Sequence, residues 1–411
     1  MFNLHLSPEQ LEIRDTVRDF VAREIKPFAH KAERLEALDR RLPMELLEAA
    51  SRLGLRTLAL SEEQGGAGAD HLTCCIVTEE LAAGDPDIAA TLAETSALGH
   101  ILFDQRMSPG QRDRFLPQFL KDDRYHLAHA GHEAGSDNAL GVNYHRPETS
   151  ETSIKTSAVR AGNAWVVNGA KDCVINAPLA KLIAVQARTG AGGVSTLLVP
   201  RDTPGLSVHE HDPAGRWFHG SCGEVVFKDC RVPAEDFLGR EGQGALADSS
   251  DEPSQFQALN LGIGRAAYEA ALDYAKLRVQ GGRRIVEHQA IGGKLAEIAI
   301  RLEVARSIVW QAAWACDHPE AVADRSLADL PLQAVAKVFT SEAIYHAVKD
   351  AAECFGAMGV MRDMPLQKYV HDALVCLHSG HGASDAKLRI AEALAGHRRR
   401  PAARARVAES T

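Results

Sequence analysis

The eight cysteines, at positions 74, 75, 173, 222, 230, 316, 354 and 376, include no C-x-x-C pair. That spacing excludes a zinc ribbon and a thioredoxin-type redox motif, and scattered single cysteines read as buried thiols. No pair of histidines lies one helical turn apart with a carboxylate, so no metal site is expected. No stretch of about 18 apolar residues occurs, so no membrane span is expected. The opening residues, Met1 to Leu6, show no basic run followed by an apolar one, so no signal peptide is expected. A cytoplasmic location follows as the default. Basic charge is not in excess either: 46 Lys and Arg stand against 55 Asp and Glu, a formal net charge of −9. That balance gives no nucleic-acid footprint. The exception is residues 396–411, which read as a basic, disordered tail. Gly262-Ile263-Gly264 lacks the third glycine and the preceding strand of a dinucleotide fingerprint.

What is present is length and pattern. A chain of 411 residues, 45% hydrophobic and 25% charged, suits a soluble globular protein of two or three domains. Ser7-Pro8-Glu9-Gln10 reads as a capped helix start, followed by apolar residues at helical spacing from Leu11 to Ile25. Helices are also expected from Pro43, over Leu72–Leu81, over Ile88–Leu102 and over Pro109–Leu120. Near Tyr125 the pattern changes to short alternating runs punctuated by Gly and Pro. Strands are expected at 164–169, 182–186, 195–199 and 224–227, with a polar loop over 143–156. Helical periodicity returns over 256–277, 289–317, 330–356 and 370–395. This helix–strand–helix order argues for an α+β chain rather than βαβ alternation. The expected domains are 1–122 (N-terminal, helical), 123–238 (middle, β) and 239–395 (C-terminal, helical).

Six phrases then occur in a fixed order. They are Leu60-Ser61-Glu62-Glu63-Gln64-Gly65-Gly66-Ala67-Gly68, Phe115-Leu116-Pro117-Gln118-Phe119-Leu120, Ala134-Gly135-Ser136-Asp137, Glu224-Val225-Val226-Phe227-Lys228-Asp229-Cys230-Arg231-Val232-Pro233, Val286-Glu287-His288-Gln289 and Phe355-Gly356-Ala357-Met358-Gly359. Over about residues 7–395 the chain resembles the acyl-CoA dehydrogenase family. The resemblance implies an N-terminal helical domain, a middle β-barrel-like domain and a C-terminal four-helix bundle, holding FAD and an acyl thioester. It also implies a homotetramer, an electron acceptor such as electron-transfer flavoprotein, and a place in fatty acid metabolism. The acyl carrier is CoA or an acyl carrier protein.

The family reaction takes the α-proton of the acyl thioester onto a carboxylate while the β-hydrogen leaves as hydride to flavin N5. Hydrogen bonds to the thioester oxygen stabilise the enolate-like charge. Here the usual base position falls on Gly380, which cannot accept a proton, although its backbone N–H can still donate. A minority of the family carries the base on another helix, and that position is Glu252 here. Ser250-Asp251-Glu252-Pro253 also fits a plain helix start, and the arginine that usually follows the moved base is Pro253. Beside Gly380 stands His381, in place to meet substrate, and His378 reads as a surface or packing residue.

The resemblance implies flavin contacts at Ala130, Gly135, Ser136, Cys173, Ile175, Arg278, Gln280, Gln289, Glu353, Gly356, Ala357, Gly382 and Ser384, with Ser136 also reaching the thioester. Several depart from the family pattern. The usual W-I-T reads Cys173-Val174-Ile175, losing an indole and a hydroxyl, and a threonine is replaced by Ala130. Two other readings therefore stay open. One is different flavin chemistry on the same fold, a monooxygenase or a lyase. The other is a non-catalytic subunit of a heteromeric acyl-CoA dehydrogenase.

Overall fold

The computed structural model describes residues 5–35, 41–133, 154–190, 193–212, 217–242, 246, 254–322, 330–378 and 382–395. The N-terminal part is helical: α1 (Pro8–Phe20), α2 (Lys26–Ala29), α3 (Ala32–Leu35), α4 (Met44–Arg52), α5 (His71–Ala82), α6 (Pro86–Gly99) and α7 (Pro109–Lys121). The starts follow from local chemistry. Ser7 and Ser108 each form a reciprocal capping box, with Gln10 and Gln111, and a proline occupies the first turn of α1 and α7. Asp85 caps α6 through the N–H groups of Asp87 and Ile88. The apolar run expected to reach Leu102 leaves the α-helix at Gly99 and continues as a π-helical stretch, His100–Arg106.

The middle part is a mixed sheet of β1 (His126–Ala130), β2 (Ser157–Ala161), β3 (Ala164–Ile175), β4 (Ala180–Thr189), β5 (Gly193–Pro200), β6 (Leu206–Glu210), β7 (Cys222–Pro233) and β8 (Phe237–Leu238). The order is β6-β7-β3-β2-β4-β5-β8, with β1 parallel to β4. Alternate side chains such as Val167, Val185, Leu197 and Val225 close a core inside this sheet. A second core, with Leu102, Phe103 and Phe119, packs the other face of β4 and β5 against α7.

The C-terminal part holds α8 (Ser254–Leu277), the hairpin of β9 (Val279–Gln280) and β10 (Arg283–Arg284), α9 (Gln289–Asp317), α10 (Leu332–Cys354), α11 (Leu366–His378) and α12 (Gly382–Ala395). The helix expected over 370–395 is described as α11 and α12, and residues 379–381 between them lie outside the described residues. One continuous core joins α5 and α6 to α8, α9, α10 and α11, so the helical parts pack directly on each other. Charge reinforces that seam: Arg265 and Arg18 bond Glu80, and Arg306 bonds Glu79. Among the described residues no helix is long and apolar enough to cross a membrane.

Candidate active site

Three elements from three parts of the chain are clamped together at the start of α6. Asp85 takes the Arg34 guanidinium at 3.0 Å, both side chains being buried. Lys368 of α11 lies 3.3 Å from Asp372 and 4.0 Å from Asp85. Asp87 accepts the Gly220 N–H at 3.1 Å, and His219 Nε2 meets the Asp372 carbonyl at 3.1 Å. Buried charges persist only when paired in this way. The network fixes the loop before β7 and the helix that leads towards residues 379–381.

Helix α6 runs from this clamp, and its two faces differ. Most of its residues are fully buried, but Ala90, Ala93, Glu94 and Ala97 keep accessible surface. Their spacing puts them on one helical face. Glu94 is surrounded by protein yet keeps some accessible surface. Burial alone pushes its carboxyl up to about 7. Three alanines on the same face leave room beside it. Its only signal in the sequence is that it is the one acid in an otherwise apolar helical run after the capping turn.

The end of β3 carries the second group. In a regular strand, consecutive side chains point to opposite faces. The pairing of β3 with β7 is irregular between Lys171 and Val174, and Cys173 adopts φ 53° and Asn176 φ 63°, both left-handed. This bulge redirects the side chains of 172–175. Lys171 points inward, fully buried, to Glu133 at 2.8 Å and to the Gly131 carbonyl at 3.2 Å. The Asp172 carboxylate accepts from His211 Nε2 at 2.8 Å and from the Cys173 N–H at 2.8 Å. Beside Asn176, whose N–H donates to the Ser221 carbonyl at 2.7 Å, the buried Ser221 hydroxyl has no hydrogen-bond partner among the described residues.

The third group sits at one end of the bundle. Tyr274 and Phe355 stack at 4.2 Å, which brings the ends of α8 and α10 together. Arg278 and Gln280 follow α8, and Gly356 and Ala357 follow α10, all exposed. Gln289 opens α9, also exposed, and Glu353 pairs with Lys294. Gly356 has φ 57°, and a Cβ there would meet nothing within 4 Å. Its glycine serves the left-handed turn, not close packing within the chain. Gly359 is the crowded one, since its Cβ would fall 2.4 Å from the Ala352 carbonyl.

The expected site residues thus divide. Cys173 and Ile175 share the β3 end. Arg278, Gln280, Gln289, Glu353, Gly356 and Ala357 gather on the bundle. Gly382 and Ser384 open α12, with Ser384 exposed. Ala130 is fully buried in the core of the sheet, so its methyl packs inward rather than lining an open surface. Gly135, Ser136, Glu252, Gly380 and His381 lie outside the described residues. His378 is exposed at the end of α11. Six cysteines are buried as expected, but Cys316 is exposed and Cys173 half-buried. Sequence reasoning missed Glu94, His211, Ser221 and the pair of Glu133 with Lys171. Only the fold brings His211 to Asp172 and Glu133 to Lys171.

Comparison with known proteins agrees with this architecture along its length. Residues 7–123, 146–230 and 255–394 match the models described as acyl-CoA dehydrogenase N-terminal, middle and C-terminal domains. An acyl-CoA dehydrogenase of Bacillus subtilis is 30% identical over 90% of this chain and 94% of its own. The structure of a glutaryl-coenzyme A dehydrogenase glutaryl-CoA complex superposes with a TM-score of 0.82 at 26% identity, covering 97% of this chain and 98% of that one. Butyryl-CoA dehydrogenase from Megasphaera elsdenii shares the fold with a TM-score of 0.81 at 24% identity, covering 96% and 100%. Helical, sheet and bundle domains in the matched order leave one assignment, and the chain belongs to the acyl-CoA dehydrogenase family.

Proposed function

We propose that this chain is an FAD-dependent oxidoreductase that introduces a Cα–Cβ double bond into an acyl-CoA. The observation that carries the reading is family membership across all three domains, with a face of small side chains on α6 beside them. The donor set suits FAD. The Arg278 guanidinium and the Gln280 and Gln289 amides stand exposed at the bundle end, where Arg278 suits a phosphate. Gly356 leaves space for close approach, and the buried Ser221 hydroxyl near the β3 end has no partner among the described residues. Ile175 and Cys173 offer no hydroxyl and no indole there, so hydrogen bonding from the strand to the ring is reduced. When bound, FAD supplies the hydride acceptor.

The protein's own part is to bind, orient and deprotonate. The face Ala90, Ala93, Glu94 and Ala97 lines the acyl chain, the three methyls setting its width. Glu252 takes the α-proton, and the Gly380 N–H donates to the thioester oxygen. This assignment follows from sequence register: a glycine occupies the usual base position, and an acid occupies the alternative one. The reading divides the chain into a helical domain up to about residue 122, a β domain up to about 238 and a helical domain beyond it. A homotetramer is supported by exposed apolar residues on the bundle, such as Ile300, Val304 and Phe339. A cytoplasmic enzyme passing electrons to an electron-transfer flavoprotein completes the reading.

The test is bleaching of the flavin absorption by a panel of acyl-CoA thioesters under anaerobic conditions. The wild type bleaches with its preferred substrate. Glu252→Gln keeps the flavin bands and thioester binding but loses at least about a hundredfold in the bleaching rate, the lower bound for a positioned base. Full activity in Glu252→Gln rejects that residue as base. A colourless wild type that takes up no FAD rejects the flavoenzyme reading.

A further inference from the structure

We propose that Asp172, Cys173 and His211 form a binding site for a divalent transition-metal ion, with zinc the ion that their donors suit best. One carboxylate oxygen, the thiol sulfur and one imidazole nitrogen all lie within 4.8 Å of one another. This trio is a mixed hard, soft and borderline set, the combination that zinc accepts in tetrahedral sites. Two of the donors are anionic when bound, which balances a doubly charged cation.

The site is built by the fold, not by sequence spacing. Consecutive residues of a regular strand cannot converge on one point, because their side chains alternate. The irregular pairing after Lys171 and the left-handed Cys173, at φ 53°, remove that alternation. His211 arrives from the end of β6, held by its N–H on the Cys222 carbonyl at 3.0 Å. Asp172 is held from the other side, where its N–H donates to the His132 carbonyl at 3.1 Å and its carbonyl lies 3.3 Å from His132 Nδ1. Donors fixed on strands keep their geometry better than donors on free loops. All three side chains are half-buried, so an ion can enter from solvent and retain an open fourth position.

Burial, and then the charge of Asp172, pushes the Cys173 thiol up to about 12. A cation between the two groups reverses the second effect and the thiol proton leaves to solvent as the sulfur binds. Asp172 and His211 now share one hydrogen bond at 2.8 Å, and this contact opens by a few tenths of an ångström when both bind one ion. Cys173 is also a flavin contact in the proposed function, so the three measurements below read the metal and not the flavin.

The purified full-length protein is stripped with chelator, dialysed against zinc and assayed by elemental analysis. About one zinc per chain is retained, as a single site requires. Cys173→Ser and His211→Ala each weaken zinc binding by at least about a hundredfold, the upper end of what loss of a mere supporting group costs. Cobalt in place of zinc gives thiolate–cobalt bands to the red of flavin absorption. They vanish in Cys173→Ser and persist in Cys316→Ser, which removes the exposed cysteine. Cobalt bands that survive Cys173→Ser overturn the proposal, as does zinc retention equal in wild type and in the Cys173→Ser/His211→Ala double variant. Should the variants not fold, the wild type still decides. Its Tm rises with zinc concentration if the site exists, and an unchanged Tm at every concentration rejects it.

Discussion

Two buried carboxylates separate structural charge from functional charge in this molecule. Glu133, at the end of β1, faces Lys171 at 2.8 Å and accepts the N–H groups of Lys155 and Thr156 at 2.7 and 2.9 Å. Glu94, in the middle of α6, meets burial and no compensating partner that shifts its carboxyl. Burial pushes both upward, but at Glu133 the ammonium and the N–H donors outweigh it and hold the carboxyl below its ordinary range. At Glu94 nothing among the described residues opposes it. A carboxylate with every lone pair used ties strands together. One with none used faces space that another molecule can fill.

The largest effect comes from removing the partner that makes Glu133 structural. Lys171→Met leaves a carboxylate inside the sheet without its cation, and loss of one member of a buried pair costs about 3–5 kcal/mol. Urea or thermal denaturation should show that loss. Lys171→Met/Glu133→Gln should recover part of it, since the Gln amide oxygen can still accept from the Lys155 and Thr156 N–H groups without leaving an unpaired charge. If Lys171→Met alone costs under about 1 kcal/mol, Glu133 is no more structural than Glu94 and the comparison fails.

How far each region is legible from sequence follows the same division. Helix starts at Ser7, Ser108 and Asp85 obey local capping rules, so the N-terminal part reads well. The limits of α9, Gln289–Asp317, coincide with the apolar periodicity. The strands β1, β2 and β6 escaped notice, because each has only five residues and little alternation; β6 is largely exposed. Family phrases located the Cys173 and Arg278 regions. They could not locate His211, whose partner Asp172 is 39 residues away in sequence. Nor could they show Ala130 turned into the core, since that depends on which face of β1 meets β4.

Acidity sharpens the comparison. Glu94 titrates near 7 in the folded chain against 4.5 ordinarily. A carboxyl raised on folding contributes stability below its unfolded value, and that contribution is lost as pH rises through the folded value. Glu133, lowered on folding, has the opposite sign: its contribution is present above the ordinary carboxyl range and lost as pH falls through the folded value. Wild type should therefore lose stability relative to Glu94→Gln between about pH 4.5 and 7, by at most about 3 kcal/mol. Glu133→Gln should show its difference from wild type shrinking on acidification instead. Parallel pH profiles of Tm for wild type and Glu94→Gln would mean that Glu94 is solvated like any surface acid.

The smallest expected effect tests the space beside Glu94 rather than its charge. Ala97 lies on the same face of α6 and keeps accessible surface, while its neighbours Ser96 and Leu98 are buried. Ala97→Leu adds three carbons to that face without touching the packed one. Each methylene of misfit in an apolar pocket changes discrimination by roughly 10–200-fold. The variant should shift the ratio of kcat/KM for long over short acyl-CoA thioesters downward by at least about tenfold, with Tm unchanged within a few degrees. The comparison variant is Leu98→Ala, which opens the buried face. It should lower Tm while leaving the chain-length ratio alone, because large-to-small changes in a packed core cost about 2–5 kcal/mol. If Ala97→Leu instead lowers Tm and leaves the ratio untouched, the open face of α6 is ordinary core, and Glu94 has no ligand to meet.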